Sequence, residues 1–391
     1  MDILLEEVKK HKHICFGIDN YVTLGVVRSL GEAGIMPIII LHKENPIHLV
    51  IHSKYAKDWI AVDSLEKGLQ IILEKYGNEP LKPFIHSSDD WVESFLDEHY
   101  EELKDKFYFY DGGRRGIITE NMNKDAINKV AESCGCNVPK SEVVKRGELP
   151  KALRYPVITK GILSIKGGWK KDVIICKDED ELKDAFKVIK SETVLVCEYI
   201  EKKNELCLDG FCVNHGKDVC IPFETSYLTL IDGQYGNYMR MIPFKREDVN
   251  RQVQKVLEKT GFNGVFSVEF LIDQDDKLWF LEVNFRFSTW GYAFQYGGVN
   301  LPVEWAKATL GGAISHNELT PRTTPFTAMV EPMEFRLFVM SGKMSFKEWY
   351  KNWKATDCYF FANKKDPWPF YYIFINGFKG AVKKLFRIKK N

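Results

Sequence analysis

Apolar and polar residues alternate with different periods along the chain, and each change of period marks an element. Residues 13–17, HICFG, form a short apolar run that predicts a strand, and NYVTLGVVRSLGEAG has the spacing of a helix. MPIIIL (36–41) predicts a second strand, so the chain opens with a βαβ unit and a parallel sheet. Helical spacing returns at 64–76 and 90–105, with the strand-like KPFIHSS between them, and FYFYDGGRRG (107–116) ends this region in a glycine-rich turn. A helix is predicted over 121–135, followed by Pro139 and a short strand. Strands at 155–161, 172–177 and 193–200, with a helix before the last, make a small α+β unit around the loop SIKGGWK (164–170). Residues 205–224 read as a hairpin turning near His215-Gly216. A helix at 247–260 then leads to two strands, GVFSVEFLID and KLWFLEVNFRF, joined by QDD.

The stretch WFLEVNFRFS (279–288) sets Glu282, Asn284 and Arg286 at every second position between Leu281, Val283, Phe285 and Phe287. Period two sends the polar groups to one face of a strand and the apolar groups to the other. A half-exposed strand with a solvated face has this pattern. So does a site in which Glu and Asn supply oxygen ligands to a metal and Arg clamps an anion. Glu269 precedes Glu282 by thirteen residues across a short turn, which sets the two carboxylates side by side on antiparallel strands. Buried together without a cation they repel, and one is pushed toward its neutral form.

Composition narrows the function class. The chain has 391 residues, ordinary apolar (45%) and charged (28%) fractions and a net charge of +1, which points to two or three domains and gives no basic field for nucleic acid. Nine cysteines without paired CxxC spacing suggest reduced thiols packed as small apolar residues. The N-terminus is charged through its first dozen residues, and no stretch approaches the roughly 20 apolar residues of a membrane span, so a cytoplasmic protein is expected.

Further residues fit a nucleotide site. Lys160 ends the strand YPVIT, at the edge where open α/β layers collect ligands. Gly167-Gly168 let backbone amides approach phosphate closely, although the loop lacks the GxxxxGK[ST] pattern. VLVCEYIEKKNE places Glu198 and Ile200 at a hinge with Glu205 opening the next strand. Singly, these positions read more simply as surface lysine, hairpin turn and solvated loop acids.

Taken in order, from the lysine of NMNKD to Glu-x-Asn-x-Arg, the set resembles the ATP-grasp superfamily over roughly residues 120–310. The resemblance implies an α/β (α+β) ATP-grasp fold preceded by a Rossmann-like parallel-sheet domain, with an aromatic and basic C-terminal extension. The implied division is 1–118, then 119–320 with a small lid subdomain at about 150–202 and a metal-binding half at about 203–320, then 321–391. Lys124 and Lys160 would neutralise ATP phosphates, Ser164, Gly167 and Gly168 would belong to a lid, Glu198 and the Ile200 backbone would hold adenine, and Glu205 the ribose. Glu269, Glu282 and Asn284 would ligate one or two Mg²⁺ ions, or Mn²⁺ in their place. Arg286, with Lys160, would act in catalysis on the transferring phosphoryl group. Phe285 stands where the family string Glu-x-Asn-Pro-Arg has proline.

Superfamily members activate a carboxylate as an acyl-phosphate that an amine or thiol attacks. GIDNYVTLGVVRSLGEAG and YPVITKGI…GGWK look most like the D-aspartate ligase type of carboxylate–amine ligase. That implies ADP-forming ligation of a small-molecule carboxylate (an amino acid or a sugar acid) to an amine, with a cell-envelope precursor or glycan as acceptor. Candidate substrate residues are Asp19, Arg28, Arg115, Arg240 and Ser288; each arginine is as readily a surface or packing residue. A degenerate ATP-binding regulatory module and a different ATP-grasp chemistry are the alternatives. Gly17 and Gly25 fail the GxGxxG spacing of a nicotinamide enzyme. Residues 366–391 join an aromatic block to a run with six Lys/Arg in the last thirteen positions, which suggests peripheral contact with the inner face of a membrane, or a homodimer interface.

Overall fold

The computed structural model describes residues 2–43, 49–162, 172–373 and 375. Its first sheet is parallel, in the order β3-β2-β1-β4, built from β1 (His13–Ile18), β2 (Ile38–His42), β3 (Asp58–Val62) and β4 (Phe84–Ser87). The strand Asp58–Val62 lacks a long apolar run, because its exposed edge position lets it carry Asp58 and a 43% exposed Trp59. Helices Tyr21–Glu32, Leu65–Tyr76 and Asp90–Glu98 begin where Asn20, Ser64 and Asp89 accept backbone N–H bonds. The predicted helix at 90–105 is broken at His99, after which Tyr100–Leu103 forms a separate turn.

Helix Lys124–Ser133 leads into a four-stranded antiparallel sheet, β5-β8-β6-β7, of β5 (Ser141–Lys145), β6 (Val157–Gly161), β7 (Ile175–Cys176) and β8 (Thr193–Glu198). Helix Glu179–Val188 packs Leu182, Ala185 and Phe186 against this sheet. The chain then crosses through Tyr199–Glu201 into the largest sheet. That sheet contains β9 (Lys202–Val213), β10 (Asp218–Cys220), β11 (Phe223–Tyr227), β14 (Tyr238–Pro243), β15 (Gly264–Asp273), β16 (Leu278–Asn284), β17 (Phe326–Met329) and β18 (Cys358–Tyr359). Its order is β16-β15-β9-β11-β14-β17-β18, with β10 paired to β9. A two-stranded ribbon, β12 (Leu230–Ile231) with β13 (Gln234–Tyr235), interrupts the run between β11 and β14.

The hairpin turn falls at Asn214, His215 and Gly216, all with positive φ, and Gly216 is needed because a Cβ there would lie 2.3 Å from the Leu257 carbonyl carbon. β17 and β18 come from the aromatic segment beyond 320, so that segment completes the large sheet. It is tied to the first sheet by Arg28, which is 1% exposed and donates from Nε to Asp366 Oδ2 at 2.8 Å. All nine cysteines are buried and unpaired. Among the described residues no helix is long and apolar enough to cross a membrane.

Candidate active site

One face of the large sheet carries a polar row. In antiparallel strands directly opposed residues share a face. Glu269 on β15 is opposite both Glu282 on β16 and Cys207 on β9, and Ser267 is opposite Asn284 and Asp209. Glu205, Asp209, Ser267, Glu269, Glu282 and Asn284 therefore stand together. A bulge between Glu269 and Phe270 shifts the register just beyond the pair of glutamates.

The Asn284 amide donates to Glu269 Oε1 at 3.1 Å and to Glu282 Oε1 at 3.5 Å. Lys124, the first residue of its helix, places Nζ 2.8 Å from Glu282 Oε2, and its own backbone N–H donates to the Ile162 carbonyl at the end of β6. Lys124 holds Glu282 below the usual carboxylate range. Burial, and then the neighbouring Glu282, Glu205 and Asp209, push Glu269 well above it. Burial depresses the ammonium of Lys160 on β6, while Glu282 and Glu205 lie close enough to oppose that shift. Two directly opposed carboxylates that differ so strongly, with the Asn284 amide beside them as a further oxygen ligand once it turns from Arg286, suit a hard divalent cation. A cation there would offset both the burial and the like charges that raise Glu269.

Arg286 lies past the end of β16, so the period-two row stops at Asn284. Its guanidinium makes a bidentate pair with Asp90 (Nε to Oδ1 at 2.8 Å, Nη2 to Oδ2 at 3.0 Å) and donates to Asn284 Oδ1 at 3.2 Å. Asp90 opens the helix after β4, so this contact joins the C-terminal edge of the parallel sheet to the polar row. Glu205 is 9% exposed and accepts from Lys202 Nζ at 3.4 Å, while Lys202 sits 4.0 Å over the Tyr235 ring, itself stacked on Tyr227. Glu198 accepts from the Arg154 backbone N–H at 3.1 Å, and Ile200 lies in the crossover between the four-stranded sheet and the largest sheet. Ser164, Gly167 and Gly168 lie outside the described residues.

Of the candidate substrate residues, Ser288 meets this row through Asp209, whereas the three arginines lie elsewhere. Arg28 is inside the Asp366 clamp, where its remaining N–H groups go to the Phe360 and Asp366 carbonyls. The expectation that it faces the acceptor is corrected, because a buried guanidinium needs all its partners locally. Arg240 on β14 is opposite Ser226, which is opposite Leu206, so it sits on the other face from Glu205 and Cys207. Arg115 pairs with Glu98 at 3.2 Å, eight residues along the helix from Asp90 and thus about 12 Å away. Ser288 is buried and donates to Asp209 Oδ1. Asp19 stays at the end of β1 and accepts from the Leu49 and Val50 N–H groups at 3.0 and 2.8 Å.

Three participants are absent from the sequence reading. Asp90 carried a signal in SSDDW, an acidic helix start directly after a strand. Asp209 carried one in ELCLDG, where it alternates with Glu205 along an apolar strand. Tyr235 carried none, since its place depends on the β12–β13 ribbon.

A family profile described as an ATP-grasp domain matches residues 129–297. The N5-carboxyaminoimidazole ribonucleotide synthase of Staphylococcus epidermidis is 24% identical over 226 residues, covering 55% of this chain and 58% of that protein. The synthase of Staphylococcus aureus strain COL is 27% identical over 155 residues, 37% of this chain and 39% of its own. The chain thus spans well under two thirds of the curated relatives it matches. Among solved structures, the N5-carboxyaminoimidazole synthetase of Staphylococcus aureus superposes with a TM-score of 0.63 at 16% identity, covering 84% of this chain and 85% of that one. The L-amino acid ligase of Bacillus licheniformis gives 0.62 at 14% identity, covering 81% and 79%. These relatives replace the expected likeness to the D-aspartate ligase type with one to the ribonucleotide synthases. Residues 129–297 match the ATP-grasp domain model, and the chain shares the fold of these solved structures, the preceding parallel sheet included.

Proposed function

We propose that this protein is an ADP-forming ligase that uses ATP to activate a carboxylate as an acyl-phosphate and joins it to an amine. The observation that carries the reading is the direct opposition of Glu269 and Glu282, bridged by Asn284 and charge-balanced by Lys124. Glu269, Glu282 and Asn284 would hold Mg²⁺, or Mn²⁺, which when bound offsets the charge of the phosphate oxygens. Lys124 and Lys160 neutralise phosphate from the small-sheet side. Lys160 suits this role because, among the described residues, it forms no ion pair, and an anion would relieve its buried charge. Arg286, oriented by Asp90, stabilises the transferring phosphoryl group from the parallel-sheet side. Glu205, near the start of β9, and the Ile200 backbone in the crossover before it would hold ribose and adenine.

The proposed carboxylate is an amino acid or a sugar acid, and an envelope precursor is one acceptor to be tested. Bicarbonate is the second reading, favoured by relatives named for a carboxylated ribonucleotide and by a biotin carboxylase of the same fold solved with MgADP and bicarbonate. Hydroxamate formation with Mg-ATP and hydroxylamine over amino acids and uronic acids, with nucleotide products resolved, tests the first reading. One active carboxylate, release of ADP and loss in Glu282→Ala support it. Bicarbonate-dependent ADP release without any hydroxamate moves the assignment to the second. Absence of Mg-ATP binding refutes both.

A further inference from the structure

The helix Phe346–Lys354 in the C-terminal extension has no buried residue. Phe346, Trp349, Tyr350 and Trp353 fall on one stripe and their rings contact in series, with Phe346–Tyr350 at 6.0 Å and Tyr350–Trp353 at 5.7 Å. Trp349 and Trp353 lean inward on Phe335 and Tyr359. Phe346 also meets Phe335 edge-on at 6.4 Å, yet it and Tyr350 are 59% and 40% exposed, and Met340 just before the helix is 72% exposed. Lys347, Lys351 and Lys354 flank this stripe, and among the described residues none of them forms an ion pair. Glu348 is the helix's one acid. Farther along, Trp368, Tyr371 and Ile375 are at least half exposed, and the sequence continues into a lysine-rich run.

We propose that this aromatic and lysine-flanked face docks on an anionic lipid surface. Helices that lie in the interface carry Trp, Phe and other apolar groups on one side and lysines beside them, so that rings enter the headgroup boundary while ammonium groups meet lipid phosphates. A second copy of the chain is a poorer occupant, because a two-fold contact sets the same lysine row against itself. The docking goes beyond the ligase reading and does not depend on it.

Co-sedimentation of the full-length protein with phosphatidylcholine vesicles, with and without phosphatidylglycerol, tests the proposal. Binding to the anionic vesicles alone is expected, weakened about five-fold by each of Lys347→Gln and Lys351→Gln. The double variant Phe346→Ser/Tyr350→Ser should lose that binding while melting at the wild-type temperature. Equal sedimentation with neutral and anionic vesicles would overturn the proposal. So would wild-type binding by the double variant, which assigns attachment to another part of the chain. A lipid-free dimer that Phe346→Ser converts to monomer would give the face to a second copy.

Discussion

Replacing Asp366 by Ala tests whether Arg28 is a structural clamp or a substrate residue. The two side chains are 1% and 0% exposed. Asp366 accepts from Arg28 Nε, Ser53 Oγ and the Lys54 N–H, each at 2.8 Å. Removing the carboxylate leaves a buried guanidinium without its counter-charge and frees two donors, a loss of about 3–5 kcal/mol. Arg28→Met leaves the complementary charge buried and has a cost of the same order. Because either single change strands the other partner, the double variant Arg28→Met/Asp366→Leu should fall short of the summed singles by about 1–3 kcal/mol. Urea unfolding followed by limited proteolysis between Phe361 and Tyr371 reads this, since the clamp holds that segment to the parallel sheet. At a temperature where Arg28→Met is folded, its KM for the activated carboxylate should equal that of wild type. An additive cycle, or a raised KM with unchanged stability, would refute the clamp and restore Arg28 to the substrate site.

Three further outcomes follow from the same contacts. Lys160→Ala should lower ligase turnover by about 10²–10³-fold, as loss of one group that stabilises transferring charge typically does, and Mg-ATP-dependent turnover within ten-fold of wild type would count against its role. His13 is buried, hydrogen-bonded to His86 at 3.0 Å, and lowered by burial to about 4. The unfolded chain takes up that proton first, so stability present above pH 6.5 is lost as pH falls toward 4, by about 3 kcal/mol for this ring; His13→Asn should flatten the decline in acid melts, and an unchanged slope would disprove the cause. Ser288→Ala removes a donor from the fully buried Asp209, whose Oδ2 has no hydrogen-bond partner among the described residues; a destabilisation of about 1–3 kcal/mol is expected in thermal melts, and wild-type stability would show that Asp209 is satisfied otherwise.

Local rules in the sequence determined most of the elements and one half of the candidate site. Period two fixed the shared face of Glu282 and Asn284, but the register leaving the QDD turn points Glu269 at Leu281, and it is the bulge between Glu269 and Phe270 that sets Glu269 opposite Glu282. Asn, Ser and Asp caps marked the helix starts for the same local reason. What required the tertiary structure were partners brought together from distant parts of the chain. Lys124 and Glu282 are 158 positions apart, Arg286 and Asp90 196, and Arg28 and Asp366 338. Alternation along WFLEVNFRFS extended the polar row to Arg286, whereas the strand ends at Asn284 and the guanidinium turns to an aspartate at the start of the helix after β4. A charge taken out of water goes to the counter-charge that the packing supplies, and no periodicity along the chain encodes which one that is.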